Sequence, residues 1–234
     1  VAGAIGVRET ADGFVIGAAT PGAVLGEHAA LVKAWPGVVE GANLIGSTQV
    51  QGRASLGGNL CNASPAGDGV PALIAGRAIC VVVGPGGRRE VPVEAIAVGP
   101  GKTSLGPGEF VLEFRLPPRP ARASDAYLRL IPRTEMDIAV AGAGVNLVLD
   151  SAGVVTEANV ALGAVAPTAL LVADAGAALV GGKLDEASLA KMEAAVRAAC
   201  RPISDKRGTV EYRTRIAGVL ARRAALIAYQ RAGA

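Results

Sequence analysis

The sequence predicts an α+β fold in two domains, and three observations support this prediction. Short β-branched runs occur in pairs around glycine-containing turns, which is typical of antiparallel hairpins. Other segments carry apolar residues at helical spacing after a capping residue. Between these halves, residues 117–122 read Pro-Pro-Arg-Pro-Ala-Arg, the composition of a stiff linker. We therefore predict a first domain over residues 1–117, a linker over 118–122 and a second domain over 123–234.

The first domain is predicted to open with a hairpin over residues 1–18, because Asp12-Gly13 is a turn signal between two apolar runs. Thr20 is expected to cap a helix that continues to residue 35, with a proline at its first position. His28 is the one histidine of the chain and lies on or beside the apolar stripe of that helix. We interpret it as a residue at the edge of the core.

The remaining elements of the first domain follow from the same signals. Pro36-Gly37 is expected to end the first helix. The other predicted elements are short helices over 38–45 and 71–75, a hairpin that pairs 78–83 with 90–93, and a strand over 110–116.

The second domain is predicted to consist of strands followed by helices, an α+β layer. Residues 137–149 turn at 150–153 and return as an antiparallel partner over 154–163, and residues 167–180 are expected to be helical. Two clearer helices begin at caps, Asp185 and Thr209. The first carries the apolar stripe Leu189, Met192, Val196 and Cys200, and the second carries Ile216, Val219, Leu220 and Ile227.

A glycine-rich stretch of the first domain, Arg53-Ala-Ser-Leu-Gly-Gly-Asn59, continues through asparagine and serine to Asp68. Paired glycines allow positive φ and let another molecule approach the backbone closely. Successive N–H groups exposed by such a turn form a concave anion site. Together with the polar side chains and the carboxylate, the stretch is interpreted as a nucleotide-cofactor loop that holds a diphosphate and a polyol. A tight loop without a ligand would have the same local chemistry.

Composition excludes several classes of protein. Aromatic residues make up 3% of the chain and the net charge is +3, which argues against nucleic-acid binding. The three cysteines form no C-x-x-C pair, so we expect neither a disulfide scaffold nor an iron–sulfur cluster, and we infer a reducing compartment. A single histidine excludes a multi-histidine metal site, and no apolar run is long enough to span a membrane. Basic residues near the end of the chain are interpreted as a solvated helix face or a protein interface: Arg201, Lys206, Arg207, Arg213, Arg215, Arg222 and Arg223.

The glycine-rich stretch resembles the second flavin-binding loop of the molybdenum hydroxylase family. The matching residues, at matching spacing, are Ser55-Leu-Gly-Gly-Asn59, Ala63-Ser-Pro65 and Asp68, although Gln51-Gly52 replaces an Arg-Asn pair. In xanthine dehydrogenase and aerobic carbon monoxide dehydrogenase, the medium subunit or middle domain with this loop carries FAD. Further similar segments are Lys102–Pro107, Arg133–Ala139, Pro202–Arg207 and Glu211–Arg213.

The resemblance implies an FAD-binding domain of the PCMH type, followed by a smaller α+β domain like the carbon monoxide dehydrogenase flavoprotein C-terminal domain. It assigns the diphosphate to Ser55, Leu56, Gly57, Gly58 and Asn59, the ribityl or flavin part to Asn62 and Asp68, and the isoalloxazine ring to Leu112. Relatives have a lysine near the flavin at the position of Arg129.

The residues themselves leave two interpretations open for the role of Arg129. Arg129 either lies near the flavin or forms a surface ion pair with Glu135 or Asp137. For Arg133 and Asp137 the structural ion-pair interpretation is preferred. No catalytic side chain and no metal ligand is assigned, because a flavin carries its own redox chemistry.

The expected function is that of an FAD-binding electron-transfer subunit of a molybdenum-containing hydroxylase or dehydrogenase in the cytoplasm. Its implied partners are a small iron–sulfur subunit, from which electrons come, and a large molybdopterin subunit. The electrons leave to NAD, a quinone or oxygen. The alternatives are a stand-alone flavin reductase of the same fold and an assembly subunit that has lost its flavin.

The family also has a first flavin loop, an Ala-Gly-Gly-Thr/His turn, and no residues here match it. We expect that the sequence begins just after that subdomain, and that the full-length parent protein binds FAD.

Overall fold

The computed structural model describes residues 1–233, and within them an antiparallel sheet forms in each half of the chain, which confirms the α+β prediction. The first sheet has the strand order β1-β2-β7-β3-β4 and the second has the order β11-β10-β9-β8. The strands are β1 (Val7–Thr10), β2 (Gly13–Gly17), β3 (Ile79–Gly84), β4 (Gly87–Pro92), the short pair β5 (Ala97–Gly99) and β6 (Lys102–Thr103), β7 (Phe110–Leu116), β8 (Ala123–Leu130), β9 (Ala141–Leu149), β10 (Val155–Gly163) and β11 (Leu170–Leu171).

Helices cover the sheets and connect their strands. They are α1 (Gly22–Glu27), α2 (Ala29–Ala34), α3 (Pro36–Asn43), α4 (Thr48–Gln51), α5 (Leu56–Cys61), α6 (Gly69–Ala75), α7 (Ala173–Ala177), α8 (Glu186–Ala199) and α9 (Val210–Arg231). None of the helices within the described residues is long and apolar enough to cross a membrane.

The predicted hairpins are confirmed. In the first, Thr10 pairs with Gly13 across the Asp-Gly turn, and Gly13 has φ +110°, which glycine adopts without strain. In the second, Gly84 pairs with Gly87 and joins β3 to β4. The strand predicted over 110–116 is β7, and the predicted pair in the second half corresponds to β9 and β10.

The single helix predicted up to residue 35 is wrong. His28 is extended, with ψ 91°, and divides the segment into α1 and α2. Its Nδ1 accepts a hydrogen bond from the Leu31 N–H at 3.1 Å, so the side chain caps α2. Thr20 does not cap α1 but donates its hydroxyl to the Gly17 carbonyl at 2.6 Å. The His28 ring contacts Phe14 edge-on with centroids 6.3 Å apart, which confirms its place at the core edge.

The residues around Pro36 also differ from the prediction. Pro36 occupies the first position of α3 instead of only ending the preceding helix. Proline is tolerated there because the first N–H groups of a helix have no partner within it.

The helix predicted over 167–180 is also mostly wrong. Leu170 and Leu171 pair with β10 as an edge strand, and only α7 is helical. The predicted caps of α8 and α9 are confirmed, because Asp185 accepts from the Ser188 N–H at 2.8 Å and Thr209 accepts from the Tyr212 N–H at 3.1 Å. The apolar stripe predicted for α8 is buried.

Helix α9 packs mainly through alanines, and of the four large side chains predicted from its sequence only Leu220 is buried. Its buried face is lined by Ala217, Ala221, Ala224, Ala225 and Ala228, while Ile216, Val219 and Ile227 are half-buried beside it. Small side chains allow close approach of the helix to β8 and β9. Arg213 is likewise buried, with its guanidinium donating to the Val140 carbonyl at 2.8 Å, so the solvated-face interpretation is wrong for this residue.

The second sheet has both faces covered. Helix α9 packs on one face and α8 packs against α9, while α3 and α6 from the first half of the chain pack on the other face. A Cβ at Gly144 would lie 2.7 Å from the Pro71 carbonyl oxygen, so glycine on β9 allows α6 to approach. Residues 117–122 connect β7 to β8, and the division into domains at this segment stays a prediction.

Candidate cofactor site

The predicted cofactor loop forms a short helix, α5, that lies against the loop after β2. Ser55 is its N-cap, and the Ser55 Oγ accepts a hydrogen bond from the Gly58 N–H at 3.2 Å. The Gly57 N–H donates to the Ala18 carbonyl at 2.9 Å. This hydrogen bond connects the first turn of α5 to the loop that follows β2 of the first sheet.

The expected left-handed turn at the paired glycines is wrong, because both residues lie inside α5 and neither has positive φ. The serine cap lets the backbone continue as a helix. The N–H groups of Gly57 and Gly58 already donate to protein oxygens, so these two groups do not form the predicted concave anion site.

The two glycines serve different purposes. A Cβ at Gly57 would lie 2.5 Å from the Ala18 carbonyl oxygen and 2.8 Å from the Ala18 Cβ, so packing requires glycine. Gly58 is exposed, and a Cβ there would meet only the Ser55 Oγ, at 3.4 Å. Packing of the fold therefore does not explain Gly58, which leaves bare backbone at the surface.

Asn59 and Asp68 are connected through the start of α6. The Asn59 Oδ1 accepts a hydrogen bond from the Gly69 N–H at 3.0 Å. Asn62, at the other end of α5, is exposed. The structure thus places the predicted polar residues along one connected segment.

Asp68 is buried at 7% exposure and is held by two residues of β8. The Tyr127 hydroxyl donates to its Oδ1 at 3.0 Å, and Arg129 Nη1 donates to its Oδ2 at 2.5 Å. The ion-pair alternative for Arg129 with Glu135 or Asp137 is therefore wrong, because Arg129 pairs with Asp68.

The other ion-pair interpretation is confirmed. Arg133 Nε lies 3.6 Å from Asp137 Oδ2, and Arg207 Nε lies 3.0 Å from Asp137 Oδ1. These contacts tie the loop after β8 to the segment before α9.

The electrostatics of Asp68 reflect competition between burial and its partners. Burial raises the pKa of the Asp68 carboxyl, while the Arg129 charge and the hydrogen bonds from Tyr127 and Arg129 lower it. The pKa of Tyr127 is raised, first by burial and then by the neighbouring Asp68. The tyrosine therefore keeps its proton and acts as a donor.

Leu112, like α5, lies next to the loop after β2. It falls at an irregularity of β7, where the pairing with β3 skips from Glu113 to Val111. Its carbonyl accepts from the Ala18 N–H at 2.9 Å, and its side chain is buried. Leu112 and Gly57 thus contact the two sides of one residue, Ala18.

Tyr127 is the residue of this cluster that sequence reasoning missed. A signal existed, since residues two apart in a strand share a face and Tyr127 lies two residues before Arg129. The partner of that face, Asp68, is 59 residues away from Tyr127 in the chain, and no local pattern connects them.

Comparisons with known proteins match both halves of the chain. Residues 2–119 match the FAD binding domain in molybdopterin dehydrogenase, and residues 126–228 match the CO dehydrogenase flavoprotein C-terminal domain. The carbon monoxide dehydrogenase medium chain of Afipia carboxidovorans is 37% identical over 94% of this chain and 76% of its own length. The xanthine dehydrogenase FAD-binding subunit of Escherichia coli O157:H7 is 29% identical over 89% of this chain and 72% of its own length.

A solved structure agrees in fold. Reconstituted CO dehydrogenase from Oligotropha carboxidovorans matches with a TM-score of 0.93 and 35% identity, over 98% of this chain and 80% of that one. The chain therefore belongs to the molybdopterin dehydrogenase family, as an FAD-binding flavoprotein subunit of these oxidoreductases.

Proposed function

We propose that this chain binds FAD along α5 and transfers electrons as the flavoprotein subunit of a molybdenum-containing hydroxylase or dehydrogenase. The observation that carries the proposal is that the backbone at Gly58 is exposed. The segment that follows it leads to the buried carboxylate of Asp68. When bound, FAD supplies the redox chemistry, and the residues of the chain bind and orient it.

The residues present fit this cofactor. Gly58 has no side chain where the protein itself leaves space for one, as expected where a ligand approaches the backbone. Each oxygen of the Asp68 carboxylate accepts one bond from the protein and has a further lone pair for a ribityl hydroxyl or a flavin N–H. Exposed Asn62 offers both a donor and an acceptor.

The individual roles are part of the proposal. Residues 55–59 would contact the diphosphate and nearby atoms through the exposed backbone surface at Gly58 and the Ser55 hydroxyl. Asn62 and Asp68 would bind the ribityl or flavin part, and Leu112 would pack against the isoalloxazine ring. Arg129 supports the site through its ion pair with Asp68.

The partners and the electron path extend the proposal beyond the chain. We infer an assembly with an iron–sulfur subunit as electron donor and a molybdopterin subunit that oxidises the substrate, with NAD, a quinone or oxygen as acceptor. The relatives named above are chains of carbon monoxide and xanthine dehydrogenases, which supports a heteromeric assembly. The cysteines Cys61, Cys80 and Cys200 are all free, which supports a reducing compartment such as the cytoplasm.

The test is purification of the full-length protein from its native host, followed by visible absorbance and acid release of the cofactor. We expect a flavin spectrum, released FAD and co-purifying subunits with iron–sulfur absorbance. Asn62→Ala should lower FAD occupancy without loss of the fold, whereas Gln230→Ala, an exposed amide on α9, should not. A colourless protein that cannot be reconstituted with FAD would replace the proposal by an assembly role.

A further inference from the structure

The backbone that carries Asp68 is confined by glycines of neighbouring elements. A Cβ at Gly41 of α3 would lie 2.9 Å from the Asp68 carbonyl oxygen. The first turns of α6 are confined in the same way by Gly144, through the Pro71 carbonyl. Both carbonyls are therefore closely packed against glycine backbone, and the side-chain torsions of Asp68 then determine where its carboxylate points.

Those torsions are set by residues of β8. Tyr127 and Arg129 each donate to a different oxygen of Asp68, at 3.0 Å and 2.5 Å. Tyr127 is itself 2% exposed, and a Cβ at Gly142 on β9 would lie 2.6 Å from its hydroxyl oxygen. The tyrosine ring therefore occupies space that glycine leaves open, and its hydroxyl points at Asp68.

The two donors act differently on the carboxylate. Arg129 supplies a positive charge, which favours the ionised form. Tyr127 supplies one directed hydrogen bond on the opposite oxygen, so that rotation of the carboxylate about its terminal torsion would break a bond at both ends. With Arg129 alone, the same rotation would break only one bond, and burial would favour protonation.

We propose that Tyr127 is a positioning residue for FAD, because its hydroxyl orients the Asp68 carboxylate that receives the cofactor. This inference rests on the proposed function, in which Asp68 contacts FAD. It extends the cofactor site to the second half of the chain, since Tyr127 lies on β8.

The test is Tyr127→Phe in the full-length protein, freed of flavin and titrated with FAD by fluorescence. We expect binding to weaken by up to about tenfold, because a carboxylate without this bond must be ordered when FAD binds, and the free energy of one hydrogen bond to a charged acceptor sets the upper limit. The pH below which binding is lost should rise, because the ionisable groups facing Asp68 are Tyr127 and Arg129, and removal of one donor favours the protonated acid. A purely structural role would weaken binding equally at every pH.

Two further variants provide the control and the independent check. Tyr229→Phe removes a hydroxyl that donates to the Gly153 carbonyl at 2.7 Å, and it should change neither the affinity nor the pH midpoint. Gly142→Ala keeps the tyrosine hydroxyl but displaces it, so it should reproduce the upward shift of the midpoint even if Tyr127→Phe folds poorly.

Asp68→Asn separates this inference from the proposed function. Wild-type FAD affinity in Asp68→Asn would overturn the assignment of Asp68 to the cofactor site. Loss of affinity in Asp68→Asn, together with wild-type affinity and pH midpoint in Tyr127→Phe, would overturn the role of Tyr127 alone. We expect that adding Tyr127→Phe to Asp68→Asn causes no further pH shift.

Discussion

The adjacent glycines 57 and 58 should respond in opposite ways to alanine. At Gly57, the new Cβ would lie 2.5 Å from the Ala18 carbonyl oxygen, so backbone must move. Overpacking of this kind costs about 1–3 kcal/mol. For a chain of this size, Tm should fall by about 2–12 °C, since each kcal/mol corresponds to about 2–4 °C.

At Gly58 the same change should stabilise the flavin-free protein. The Cβ would meet the Ser55 Oγ at 3.4 Å, an ordinary contact, and the residue is helical and exposed. Replacing glycine by alanine at such a position adds about 0.4–1 kcal/mol to the free energy of unfolding, because the unfolded chain loses conformational freedom. FAD binding should nevertheless weaken, because in the proposed site the methyl group would lie where the cofactor approaches the backbone.

The assays are urea denaturation of the flavin-free variants and titration of each with FAD. Gly86→Ala is the control, since a new Cβ at this exposed turn residue would have nothing within 4 Å. It should leave FAD affinity unchanged. Two results would refute the reasoning about the two glycines. One is wild-type FAD affinity in Gly58→Ala, and the other is a loss of stability in Gly58→Ala as large as that in Gly57→Ala.

Two further predictions concern buried charges. Arg129→Met should lower the free energy of unfolding by about 3 kcal/mol, because it leaves the buried Asp68 without its cation. Arg133→Met should lower it by less than about 1 kcal/mol, because the Arg133 side chain of that ion pair is 64% exposed. Urea denaturation of both variants at pH 7 checks this, and equal losses would contradict it. Burial raises the pKa of Asp125 to about 6, so the folded state binds a proton more tightly than the unfolded state and loses stability as pH rises from about 4 to 6. The free energy of unfolding, measured by denaturation at several pH values in this range, should depend less on pH in Asp125→Asn than in the wild type. The same dependence on pH in both proteins would show that Asp125 does not titrate there.

Local signals predicted the elements whose ends depend on nearby residues. The turn at Asp12-Gly13 and the caps Asp185 and Thr209 act within three or four residues, and all three appear in the structure. The helical stripe of α8 follows from periodicity, because a single face of the helix is buried.

The same signals failed where a distant contact overrides local preference. Residues 21–35 have helical spacing, but His28 turns out of the helix and packs on Phe14. Residues 170–171 join the edge of the second sheet because β10 offers unpaired backbone groups there. The glycine pair, typical of a turn, became helical because Ser55 caps it and Ala18 packs on it.

The sequence by itself determined the α+β class, the hairpins, the capped helices and the resemblance that identifies FAD as the cofactor. These properties depend on residue types at short spacing. Only the tertiary structure decided that Arg129 pairs with Asp68, that Tyr127 donates to the same carboxylate, and that packing requires glycine at position 57 but leaves space for a side chain at Gly58. The physical reason is that each of these depends on which surfaces meet when α5, α6 and β8 pack together, and residues about 60 positions apart carry no local record of that contact.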